Sequence, residues 1–218
     1  MKDVEKEIKK ALDAVDSLRN LTNSQSAPYR EEIKNVLDDL LEGLPLATGT
    51  DIDKLKNELI DRLNLNTAKA TAADAAHGAA NGANEEIGNL GYLGEEEKQA
   101  VIDKIEEVRK ATQEKIDDAK TANAAKAESD GAASLINGIL TEAKAADDVA
   151  KEEQIEEARK ALEKKHAEVL EAIKNATYLD DDAKAALNHK IPLPPPSPVF
   201  NRKKTAEDLK RPTKQYTF

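Results

Sequence analysis

Ile87-Gly-Asn-Leu-Gly-Tyr-Leu-Gly-Glu-Glu-Glu-Lys-Gln-Ala-Val-Ile-Asp-Lys-Ile105 returns 86 residues later as Ile173-Lys-Asn-Ala-Thr-Tyr-Leu-Asp-Asp-Asp-Ala-Lys-Ala-Ala-Leu-Asn-His-Lys-Ile191. Ile87, Asn89, Tyr92, Leu93, Lys98, Ala100, Lys104 and Ile105 recur without a gap as Ile173, Asn175, Tyr178, Leu179, Lys184, Ala186, Lys190 and Ile191. Self-similarity at a fixed offset is the mark of a repeat protein. The shared Asn-x-x-Tyr-Leu falls between two helical patterns, where the low-complexity composition of the helices does not account for it.

Each copy reads as helix, short corner, helix. The helix entering the second corner carries Ile155, Ala158, Leu162, Val169 and Ile173 at spacings of three, four and seven, one apolar stripe of a helix. The first copy carries its stripe as Ala72, Ala76, Ala80, Ala83 and Ile87, which permits close approach but buries less area. Asp180 stands at an N-cap position and Asp181 and Asp182 in an acidic first turn; Gly94 and Glu95, Glu96 and Glu97 take those places in the first copy. Glu97 lies three residues after the cap, as in a capping box, and Leu93 and Leu179 are placed to staple the entry. Tyr92 and Tyr178 are expected to pin the corners onto the bundle.

Outward from the repeat, the same reading predicts a helix over residues 3–20, with Val4, Ile8, Ala11 or Leu12, Val15 and Leu18 on one face. A polar loop follows to Pro28, then a helix from Tyr29 to Leu41 with Ile33, Val36, Leu37, Leu40 and Leu41 inward. Gly43 to Gly49 breaks the pattern, and a third helix runs from Thr50 or Asp51 to Leu63 with Ile52, Leu55, Leu59, Ile60 and Leu63. Further helices are expected over 67–87, 95–121 and 124–140. These carry Val101, Ile102, Ile105, Val108, Ile116 and Ala119, then Leu135, Ile136, Ile139 and Leu140. Gly78, Gly82 and Gly88 mark close packing or a soft spot. A final pair covers 141–175 and 183–191.

The predicted organisation is therefore all-α: an elongated array of antiparallel three-helix bundles joined by near-continuous helices. Its units are a bundle over 1–65, a second over 66–140, a two-helix partial unit over 141–191, and a disordered Pro-rich tail over 192–218. The tail holds six of the eight prolines and a net charge of +4, within a chain of net charge −10. A polyproline II spacer and a basic segment are its expected state.

Composition bounds the function. Aromatics are 3% and cysteine is absent, which excludes disulfides and thiolate metal sites. The acidity argues against nucleic acid as a partner. No stretch reaches the roughly 20 apolar residues of a membrane span, and no signal-peptide core follows Met1. His77, His166 and His189 stand in no ligand pattern; His166 sits on an apolar seam and His189 near a helix end. The acidic triplets 95–97 and 180–182 lack the calcium-loop pattern and read as helix starts. No serine or threonine has a histidine partner, and no Gly-rich loop fits a phosphate. Catalytic, cofactor and metal residues are thus expected to be none. Leu44-Pro-Leu-Ala-Thr-Gly49 imitates a sortase signal but has one residue too many, and reads as an interhelical loop.

The repeat resembles the FIVAR module of Gram-positive cell-wall-associated proteins, in which an Ala-rich helix ends in Ile-x-Asn-Leu before a Leu-rich corner and a Lys- and Ile-bearing helix. Those positions are Ile87, Asn89, Leu90, Leu93, Lys98, Ile102 and Ile105, and in the second copy Ile173, Asn175, Leu179, Lys184, Leu187 and Ile191, with Ala176 in place of Leu. Leu18-Arg-Asn20-Leu21-Thr22 is a weaker echo. The resemblance implies a monomeric, non-enzymatic adhesin segment that lies outside the cell on the wall. It would act as a stalk or bind host matrix protein, serum protein or glycosaminoglycan; related three-helix modules of such proteins bind serum albumin. Read with Met1 as the native start, the chain would instead be an intracellular, cytoplasmic scaffold recruiting a partner through its basic tail.

Overall fold

The computed structural model describes residues 2–43 and 49–191. Those residues form six helices and no strand: α1 (Lys2–Asp16), α2 (Asn23–Gly43), α3 (Gly49–Gly88), α4 (Glu95–Asp118), α5 (Ala122–Asn175) and α6 (Asp181–Lys190). The Pro-rich tail and Leu44 to Thr48 of the sortase-like stretch lie outside them. The described residues divide into two units, with the boundary between Ala150 and Lys151.

In the first unit α1, α2 and α4 each pack against α3, and α1 also packs against α2. Val4, Ile8, Val15, Ile33, Val36, Leu40, Leu59 and Leu63 fill the first core. Each such side chain contributes about 1.5–3 kcal/mol when fully buried. The second core joins Ala80, Ala83 and Ile87 of α3 to Ile105 of α4 and to Ile136, Leu140 and Ala143 of α5. Alanines on α3 let its neighbours approach closely at the cost of buried area. Ile116 of α4, Ala119 just beyond it and Ala125 of α5 also belong to the first core.

The expected gap between residues 63 and 67 is absent. Asn64-Leu-Asn-Thr67 resembles a helix start, yet α3 runs through it for 40 residues, about 60 Å at 1.5 Å per residue. Asn66 is buried, and its side-chain Nδ2 donates to the Tyr29 carbonyl at 2.7 Å. A polar residue that would otherwise favour a cap is thereby satisfied inside the helix. α5 likewise passes residue 141 without a break; Thr141 Oγ1 donates back to the Asn137 carbonyl at 2.7 Å.

The first loop is also shorter than expected. α2 begins at Asn23 and Pro28 lies inside it. Thr22 starts the helix a turn earlier, because its N–H donates to Gln25 Oε1 at 2.8 Å in a capping box. Leu41 and Leu135, expected inward, are about half exposed. Of Gly78, Gly82 and Gly88, only Gly78 marks close packing: a Cβ there would stand 2.8 Å from Asn20 Nδ2, while Gly82 and Gly88 face open space.

The second unit, described by itself, is the later part of α5, a corner over 176–180, and α6. Asp180 Oδ1 accepts from the Ala183 N–H at 2.8 Å, the N-cap expected of it. None of residues 151–191 is buried.

Candidate functional site

The corners are where the two-helix signature acquires its geometry. The α3–α4 corner is held by Asp147 of α5, whose Oδ1 accepts from the backbone N–H of Tyr92 at 2.7 Å and of Leu93 at 2.8 Å. Desolvation opposes the Asp147 charge. The amides of Tyr92, Leu93 and Gly91, with the Lys98 charge, outweigh it and hold the carboxyl below its ordinary range. Gly94 N–H donates to Glu97 Oε2 at 3.0 Å, so the expected capping contact is present. Leu93 is buried.

The α1–α2 corner is built the same way. Asp74 Oδ1 accepts from the N–H of Asn20 at 2.6 Å and of Leu21 at 3.2 Å, and Asp74 Oδ2 from Asn20 Nδ2 at 3.0 Å. Asn20 and Leu21 precede Tyr92 and Leu93 by 72 residues, and Asp74 precedes Asp147 by 73. Asn20 and Leu21 thus take the structural places of Tyr92 and Leu93, three residues out of register with the weak echo, which set Leu18, Asn20 and Leu21 on Ile87, Asn89 and Leu90. Asp74→Ala leaves these corner amides without their acceptor and should cost about 1–3 kcal/mol, read as a lower urea midpoint; Asp74→Asn, keeping one acceptor oxygen, should cost less.

Tyr178 does not pin its corner. Tyr178 is 100% exposed and Tyr92 38% exposed. The aspartate from the following helix does the pinning through the main chain, which needs no particular corner side chain.

Beside the first corner a polar cluster lies among α2, α3 and α4. Tyr29 Oη donates to Asp117 Oδ1 at 3.3 Å and accepts from Gln113 Nε2 at 2.8 Å. Burial is the main reason that the Tyr29 phenol is pushed up to about 12. His77 is buried on α3, and Arg109 Nη1 donates to its Nε2 at 3.1 Å. A guanidinium only donates, so that ring nitrogen is unprotonated. Burial first, and the Arg109 charge second, lower the His77 pKa; Glu106 and Asp74 oppose them.

The sign of the pH effect follows. Above the unfolded histidine value of about 6.5 both states are neutral and the full stability is present. As pH falls below it, the unfolded chain takes the proton first, and stability declines until the lowered folded value is passed. Urea midpoints should fall between pH 7.5 and 5, and His77→Gln should flatten that part of the profile.

The other histidines are placed apart. His166 is half-buried in the second unit, and His189 is exposed in the last turn of α6. The carboxylates 95–97 and 180–182 occupy the first turns of α4 and α6, with Asp180 as the cap. Among the described residues no group of three or more His, Cys, Asp or Glu could hold a metal ion, and no helix is long and apolar enough to cross a membrane.

A cleft of about 500 Å³ opens over α3 between α1 and α5. Its floor is Leu63, Thr67 and Ala72, and its charges pair among themselves, Lys10 with Glu7 and Lys126 with Asp130. The arrangement offers an apolar trough rather than convergent reactive groups.

The Asp74 and Asp147 clamps escaped the sequence reading. Their only signal is the near-equal 72- and 73-residue offsets, visible once Asn20 and Leu21 are set on Tyr92 and Leu93. Neither the curated proteins nor the solved structures gave a match to the chain. The end of α3, its corner, all of α4 and the start of α5, residues 77–125, match the family model of the GA module, a small albumin-binding three-helix-bundle domain of Gram-positive surface proteins.

Proposed function

We propose that the chain is a non-catalytic segment of a Gram-positive cell-surface protein, exposed outside the cell, and that the unit containing residues 77–125 binds serum albumin. The observation that carries this reading is the GA match over those residues. It falls on the corner clamped by Asp147 and on α4, so a structurally fixed surface is available there. The solvent side of α4 is charged, with Asp103, Lys104, Glu107 and Lys110 exposed. Tyr92, just before α4, is the most exposed large apolar side chain of the stretch, and apolar contact with a partner would centre on it.

The copies at 87–105 and 173–191 resemble FIVAR modules in sequence, which supports a display or spacer role for the remaining helices and makes host matrix proteins and glycosaminoglycans the second class of ligand. The shared helix α3 favours that display role, because two bundles built on one helix hold a fixed register.

Calorimetric titration of the full chain with serum albumin tests the reading. Saturable one-to-one binding is expected, and Tyr92→Ala should weaken it by about 1 kcal/mol or more, roughly fivefold. Binding to fibronectin or a glycosaminoglycan in place of albumin would move the function to the matrix. Binding to none of them would leave the spacer.

A further inference from the structure

The cleft between α1 and α5 is open because the helices around it face one another across side chains that stop at Cβ. Ala11 and Ala14 of α1, Ala68 and Ala75 of α3 and Ala122 of α5 line it. On α3 the lining runs from Leu63 to Ala75, about 18 Å at 1.5 Å per residue, so the space is a trough along that helix. Its volume of about 500 Å³ lies within the range of small-molecule sites, roughly 300–1,000 Å³.

One polar side chain marks a place in the trough. Ser129 lines it and is only 4% exposed. Ser134 and Thr141, the other hydroxyls of α5, donate to the carbonyls four residues back, at 3.0 and 2.7 Å. Ser129 does not, and among the described residues its Oγ has no hydrogen-bond partner. A buried hydroxyl in that state has given up the hydrogen bonds that water offers it in the unfolded chain. A ligand oxygen beside it restores one, as donor or as acceptor.

The rim sets the charge of the ligand. It carries two ion pairs, Lys10 with Glu7 on α1 and Lys126 with Asp130 on α5. These four charges sum to zero, and a charged head group would draw one of them from its partner. We propose that the trough holds one uncharged single-chain amphiphile, with its chain along α3 and its hydroxyl on Ser129 Oγ. The alanine walls take the chain, Ser129 fixes the polar end, and the balanced rim rejects an ionised head.

The probe is decanol, added to the full chain and followed by amide NMR and urea unfolding, with decanoate as its charged counterpart. Saturable one-to-one shifts at Ala11, Ala72 and Ser129 are expected, with a urea midpoint that rises with decanol concentration. Decanoate should bind about fivefold more weakly. Ser129→Ala should weaken decanol by about fivefold to tenfold, with the urea midpoint of the free chain unchanged or higher. Ala68→Leu, which fills the trough, should abolish the shifts while the free chain still unfolds cooperatively. Absence of saturable shifts overturns the proposal, and so do shifts spread over both cores, which are non-specific partition. Decanoate binding as tightly as decanol overturns it, because the rim then does not select an uncharged head. Undiminished decanol binding by the Ser129→Ala chain overturns it as well, because the trough then takes apolar bulk alone.

Discussion

Asn64→Pro should lower the unfolding free energy by about 3 kcal/mol or more. Asn64 is exposed and lies mid-way along α3, so no core contact is lost with its side chain. The cost is in the backbone: proline removes one i to i−4 hydrogen bond, and its ring meets the carbonyl one turn back. Asn64→Ala is the control, and it should be neutral or stabilising by a few tenths of a kcal/mol, since alanine is the better helix former. Urea unfolding followed by circular dichroism reads both. A proline costing less than about 1 kcal/mol would mean that residues 63–67 are a joint between separate helices, as the sequence pattern suggests on its own.

The second large effect is at Ile116. It is fully buried, it belongs to α4, and it shares a core with Val4, Ile33 and Leu63 of the first three helices. Ile116→Ala removes three carbons and leaves a cavity in a region where a rigid α3 limits collapse, so a loss of about 2–5 kcal/mol is expected. The distribution of that loss carries the information. Because Ile116 sits in the core that α1 and α2 share, amides of α1 and α2 and those of α4 should lose protection together in hydrogen exchange. Loss confined to α4 and α5 would show that the two bundles unfold separately.

What was legible in the chain follows from what is local. Val4, Ile8 and Val15, or Ile33, Val36 and Leu40, declare a helix and its inward face by spacing alone, and those faces are the buried ones. Caps at Gly94 and Asp180 were legible for the same reason, since cap and first turn are neighbours in sequence. The continuity of α3 was not, because Asn66 is satisfied by Tyr29 of another helix, and a tertiary partner leaves no local mark. The corner clamps were hidden more deeply. Asp74 and Asp147 each lie more than 50 residues from the amides they hold, among 43 acidic residues with nothing to single them out. The rare tyrosines stand out instead, and Tyr178, fully exposed, does not close its corner. Leu41 and Leu135 show the converse error, since a leucine beside an apolar stripe can face solvent.

A helix that serves two cores at once also constrains how such a chain can change its length. One residue inserted between Asn66 and Ala76 would rotate everything beyond it by about 100° and advance it by about 1.5 Å. Ala80, Ala83 and Ile87 would then leave their core while Leu59 and Leu63 stayed in theirs. Insertions and deletions in α3 are therefore tolerable only near whole turns, and drift by single residues is confined to the short connections between helices. The 40 residues of α3 act as a phase standard, and the reading frame of the packing, like that of a gene, survives only certain steps.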